Sequence, residues 1–125
     1  MNRIYKNQDG CPVAETLDVI GDRWTVLILR DLMVQGDRKF GELQESLRGI
    51  SARLLASRIK WLEQQGIIEG VRYSSHPPRD TYRLTRKGLD LRPVLRSIAE
   101  WGYKYQLDED ERAAWKAPWT RVRRT

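Results

Sequence analysis

Apolar residues recur along this chain at two different spacings, and the changes of spacing divide it into elements. Pro12 suits the first position of a helix and Gly21 its stop, with Val13, Leu17 and Ile20 on one face. Asp22 then caps a second helix that runs to Gln35-Gly36. Trp24, Val26, Leu27, Ile28, Leu29, Leu32 and Met33 make it apolar nearly all round, the mark of a central buried helix. After a turn at Gly36-Asp37, the run R-K-F-G-E-L-Q-E-S-L predicts a short helix with Phe40, Leu43 and Leu47 inward, Arg38 and Lys39 standing at its start. A turn at Arg48-Gly49-Ile50 follows. Ser51 caps the next helix, whose core stripe is Leu55, Ile59 and Leu62.

Beyond Gly66 the spacing becomes two. I-I-E-G-V-R-Y and D-T-Y-R-L-T read as strands, with Tyr82 and Leu84 on one side and Thr81 and Arg83 on the other. Between them S-S-H-P-P-R predicts a long exposed loop with Pro77 and Pro78 at its tip, where their missing N–H groups break no ladder. Thr85 caps a long helix to Tyr105, which Pro93 should bend. Two helices joined by a short glycine-containing turn and followed by a hairpin are the order of a winged helix. The expected fold is mainly α with a small β-hairpin: a winged helix-turn-helix over residues 11–106, behind a polar lead at 1–10. An extension at 107–125 passes from an acidic block to a basic end, with Trp115 and Trp119 between.

Composition narrows the function. The 125 residues suffice for one core. There is no apolar run of 18 residues and the N-terminal lead is polar, so the expectation is a cytoplasmic protein without a membrane partner. The net charge is +6, and all of it resides between Arg38 and Arg92, where twelve basic residues face six acidic ones. A localised basic excess implies an oriented contact with a polyanion. One cysteine and one histidine make neither a disulfide framework nor a structural zinc site. No phosphate-binding glycine loop and no nucleophile–base pair around His76 is present, so the expectation is a non-enzyme with no cofactor and no metal.

At about 100° per residue, Arg53, Ser57, Lys60 and Gln64 lie opposite the core stripe of the helix that Ser51 caps, with Arg58 on its flank. A major groove about 12 Å wide accepts one helix, read mainly by its N-terminal half. Arg53 can pair bidentately with guanine, Ser57 with several base edges or a phosphate, and Lys60, further along, with a phosphate. The backbone N–H groups beside Ser51 favour a phosphate as well. In the hairpin, Ser75, His76 and Arg79 (with Ser74) are placed to enter beside a minor groove, and Arg38 and Lys39 to meet phosphates.

Seven segments occur in order: C-P before a helix, G-D-R-W-T-V-L-I-L-R-D-L, R-K-F-G-E-L, G-I-S-x-R-x-L, L-E-x-x-G-I-I, P-P-R-x-x-Y-x-L-T and A-E-W-G. The series, from about Cys11 to Tyr105, resembles the HxlR family of bacterial winged-helix transcription regulators, relatives of the MarR regulators. The resemblance implies a homodimer on double-stranded DNA at a pseudo-palindromic operator, with repression the commoner outcome. It implies an interface built from the first helix and the long C-terminal helix: Val13, Leu17, Leu95, Ile98, Trp101 and Tyr105. It also implies a small-molecule or oxidant effector, because some members sense oxidants through a cysteine just before this proline. Cys11 matches in position, at a helix N-terminus where the dipole favours negative charge. Two readings of it stay open, a sensor or a small capping residue. With no second cysteine, sensing would need an intersubunit or mixed disulfide. The alternative to specific DNA readout is a winged helix that binds proteins, which would expect an apolar or acidic face on the helix after Ser51.

Overall fold

The computed structural model describes residues 10–115; residues 1–9 of the expected polar lead, Trp119 and the basic end lie outside the described residues. The chain runs α1 (Pro12–Ile20), α2 (Arg23–Gln35), β1 (Arg38–Lys39), α3 (Phe40–Ser46), α4 (Ala52–Gln64), β2 (Ile68–Ser75), β3 (Pro78–Leu84), α5 (Arg86–Leu89), α6 (Arg92–Tyr105) and α7 (Glu109–Ala114). Helix α2 is the hub. It packs against α1, α3, α4, α6 and the sheet, burying Ile28, Leu29, Leu32 and Met33. Around it close Leu43 and Leu47 of the α3 region, Leu55, Ile59 and Leu62 of α4, Ile67 and Ile68 at the start of β2, and Leu95 of α6.

The mainly α winged helix-turn-helix expected from the pattern is the fold found, with local corrections. The sheet has three strands, in the order β1-β3-β2, and both pairings are antiparallel. Arg38 and Lys39 do not begin α3. They pair with Tyr82 and Thr81 as β1, because Gly36 at φ +82° turns the chain back along β3. The predicted long loop is a tight one: Ser75 already pairs with Pro78, leaving His76 and Pro77 between the strands. Pro78 therefore opens β3, the strand position where a missing N–H is tolerated.

The long helix from Thr85 is two helices. Asp90 and Leu91 separate α5 from α6, and Pro93 sits in the first turn of α6, where its lost N–H costs nothing. Gly88 in α5 lies against the start of β2, where a Cβ would collide with the Ile67 carbonyl oxygen. Thr85 secures the same spot by donating from Oγ1 to the carbonyls of Gly66 (2.6 Å) and Ile67 (3.1 Å).

The protomer covers only part of the apolar face of α1. Ala14 and Ile20 are its buried residues, whereas Val13 is 68% and Leu17 41% exposed. In α6, Leu95 faces the protomer's own core, at 2% exposure, which takes it off any outer surface. Val94, Ile98, Trp101 and Tyr105, spaced by four, three and four, are exposed instead. Arg112 of α7 donates to the carbonyls of Tyr103 (3.0 Å) and Lys104 (2.8 Å), tying the start of the extension to the last turn of α6.

Candidate nucleic-acid interface

Helices α3 and α4 are joined by Leu47–Ser51. Leu47 and Ile50 are buried there, and Gly49, at φ +91°, makes the reversal between them. Ser51 Oγ accepts from the backbone N–H of Leu54 at 3.0 Å, as an N-cap should. The remaining N–H groups of the first turn stay available to an anion. The burial of Leu55, Ile59 and Leu62 turns Arg53, Ser57, Lys60 and Gln64 to the exposed face. Among the described residues neither Arg53 nor Lys60 has an ion-pair partner, so both charges are free to meet a ligand.

Arg58 behaves differently. Its Nε donates to Asp22 Oδ2 at 2.9 Å, in a pair whose side chains are only 21% and 20% exposed. Nη1 reaches Ser57 Oγ at 3.5 Å. Asp22 Oδ2 also accepts from the N–H (3.1 Å) and hydroxyl (3.3 Å) of Thr25. Burial works to raise the pKa of this carboxyl, but Arg58 and Thr25 together hold it below the usual value of 3.8. The Arg58 cation is thus engaged inside the fold.

The wing projects beside this helix. Ser75, His76 and Arg79 are exposed at its tip, and Ser74 is partly covered. Ion pairs Arg72–Asp80 and Arg83–Glu69, both 2.8 Å, lace the two strands together. Lys39 and Arg38 part company on β1. The ammonium of Lys39 stands 4.7 Å from the centre of the Tyr73 ring on the wing, while Arg38 lies partly covered with Nη1 3.7 Å from Glu42. Under the wing, burial and the neighbouring Asp80 raise the pKa of Glu63, and burial, Glu63 and Asp80 raise that of Tyr82.

Sequence reasoning missed the Arg58–Asp22 pair, the Lys39–Tyr73 contact and strand β1. The flank position of Arg58 and the N-cap at Asp22 were both legible, but their meeting across 36 residues was not. Cys11 is the N-cap of α1, partly buried, and accepts no capping hydrogen bond. Among the described residues, no group of three or more His, Cys, Asp or Glu is placed to hold a metal, and no helix is long and apolar enough to cross a membrane.

A tight helix-turn-helix whose cationic outer face is unpaired among the described residues, flanked by a two-stranded wing, defines the class of winged-helix DNA-binding transcription regulators. The chain belongs to the HxlR-like helix-turn-helix family, whose model matches residues 19–110. It is 37% identical over 99 residues to the HTH-type transcriptional regulator YybR of Bacillus subtilis (strain 168), covering 79% of this chain and 78% of YybR. Among solved structures it is similar to the redox regulator HypR in its reduced form (34% identity, TM-score 0.71, 76% of this chain and 93% of HypR). It is likewise similar to the reduced form of the transcriptional regulator YodB from B. subtilis (33% identity, TM-score 0.64, 76% of this chain and 93% of YodB). The family and these relatives are regulators of transcription, not enzymes.

Proposed function

We propose that this protein is a homodimeric, sequence-specific DNA-binding repressor that acts in the cytoplasm on a pseudo-palindromic operator. The observation that carries this reading is the outer face of α4, where Arg53 and Lys60 are exposed and have no ion-pair partner among the described residues. Arg53 and Ser57, in the N-terminal half, meet base edges in the major groove. Lys60 and the backbone amides beside Ser51 hold phosphates. Ser75, His76 and Arg79 bring the wing tip to the neighbouring minor groove, and Lys39 adds a backbone contact. Arg58 and Arg38 are left out of direct readout, because their guanidinium groups are engaged with Asp22 and Glu42.

The dimer rests on the exposed stripe of α6 (Ile98, Trp101 and Tyr105, with Val94) and on Val13 and Leu17 of α1. Apolar side chains left exposed in number on two helices mark an interaction site. Two α4 helices about one DNA turn apart would then read two half-sites. Binding of the protein to sequences selected from a random duplex pool tests this. Arg53→Ala should weaken binding to the selected sequence by about 1–3 kcal/mol while leaving random duplex affected far less. Unchanged discrimination in that variant would overturn the assignment of α4.

HypR is named as a redox regulator, and Cys11 is the one thiol of this chain. A thiol response here joins Cys11 to the partner's cysteine or to a small thiol, with an oxidant such as diamide taking up the two electrons and two protons released. Diamide should then change the DNA affinity of the wild type and leave Cys11→Ser untouched; identical wild-type affinity before and after treatment would sink it.

A further inference from the structure

The corner between α1 and α2, from Val19 to Asp22, has two polar needs. The Val19 carbonyl belongs to the last turn of α1, where carbonyls lack partners within the helix. The Asp22 carboxylate caps α2 and must be neutralised where it is four-fifths covered. Both needs are met from α4. Trp61 Nε1 donates to the Val19 carbonyl at 2.9 Å, and Arg58 Nε donates to Asp22 Oδ2 at 2.9 Å. Residues 58 and 61 stand one turn apart on the same flank of the helix. Between the two anchor points Gly21 permits no side chain, since a Cβ would collide with the Leu17 carbonyl oxygen, so the corner is tightly folded.

We infer that Arg58 and Trp61 are positioning residues, whose two-point clasp on the α1–α2 corner sets the angle at which α4 presents Arg53 and Ser57 to DNA. This rests on α4 being the reading helix. The apolar contacts of Leu55, Ile59 and Leu62 fix how deep α4 sits, but hydrophobic burial is non-directional and tolerates rotation. Directional hydrogen bonds at two points of one flank do not. Arg53 lies five and eight residues upstream of the clasp, about 8 and 12 Å along the axis at 1.5 Å per residue. A tilt of about 10° at the clasp would shift the start of the helix by about 2 Å over that lever. Such a shift is enough to break a bidentate contact with a base. The clasp also reaches the reading face directly, through the Arg58–Ser57 contact.

Three disruptive substitutions and one conservative one separate this role from its competitors. Asp22→Asn keeps a capping residue on α2 and removes the charge partner of Arg58. Arg58→Gln removes the cation, and Trp61→Phe removes only the indole N–H. Affinity for the selected operator and for random duplex is measured against salt, well below each variant's Tm, together with the double variant Asp22→Asn/Arg58→Gln. Positioning predicts that Asp22→Asn, Arg58→Gln and Trp61→Phe each lose about five- to tenfold in operator binding, with random-duplex binding and the salt slope unchanged. The double variant should be no worse than Arg58→Gln alone, and Arg58→Lys should restore part of the loss.

If Arg58 instead held a phosphate, Arg58→Gln would lower the salt slope by about one and weaken both duplexes, while Asp22→Asn would not weaken either. That pattern overturns the inference, as does equal weakening on both duplexes in all variants, the mark of a role in folding alone. A wild type that selects no sequence at all would overturn the proposed function and this inference with it. Normal selection with unaffected variants overturns only the clasp.

Discussion

Asp22 shows how one side chain can serve two levels of structure. Locally it is the N-cap of α2; across the fold it receives Arg58 of α4. Its folded pKa lies below the unfolded value, so its contribution to stability is complete above the unfolded pKa of 3.8 and is lost as pH falls through the lower folded value. The expected worth is about 1–2 kcal/mol, combining a cap that Asn would keep with a charge-assisted bond that Asn would lose. Urea unfolding of the wild type and Asp22→Asn should therefore differ at neutral pH and draw together as the pH falls below 3.8 and Asp22 takes up its proton; a gap that never narrows across the acid range would refute the account. Glu63 runs in the opposite sense. Its pKa is raised, so the folded state binds its proton more tightly and gains stability relative to neutral pH as pH falls through that raised value.

Elements in this chain start and stop where backbone chemistry demands it. Ser51, Thr85 and Asp108 each accept a capping hydrogen bond from the third residue of the helix that follows. The helices after Ser51 and Thr85 begin where the sequence places them. The misassigned boundaries share another cause. Arg38 and Lys39 have a spacing compatible with α3, yet β3 offers them a backbone ladder and the turn at Gly36 delivers them to it. The apolar spacing predicts Pro93 inside a bent helix. The chain instead ends α5 against β2 and begins anew, so the proline falls where it breaks no hydrogen bond.

For the whole molecule, the notable feature is apolar surface that the protomer does not cover. Trp101 and Tyr105 are each 59% exposed, and their rings pack on one another at 5.4 Å. With Val94 and Ile98 they form a stripe along the outer side of α6, while Leu95 on the inner side fills the core. A second copy of the chain is the occupant proposed for that stripe. Trp101→Glu should give a protomer that is folded by circular dichroism but monomeric in sedimentation, and operator affinity should fall by about a hundredfold as the two half-sites lose their linkage. A dimer that survives this substitution would move the interface elsewhere.

The sequence by itself determined the class of fold, the order of helix-turn-helix and hairpin, and the outer face of α4. Caps, turn glycines and the two apolar periods act between neighbours, and the placement of Arg53, Ser57 and Lys60 opposite Leu55, Ile59 and Leu62 follows from helix geometry alone. Only the tertiary structure decided which cations are free. Arg53 and Arg58 are the same residue type five positions apart, yet one is exposed and the other is bound to Asp22, 36 residues away. It also decided that Leu95 faces inward while Ile98 faces out, and that Arg38 and Lys39 belong to the sheet. Such outcomes depend on contacts between residues distant in sequence, and a side chain's own spacing carries no information about which partner the fold will bring to it.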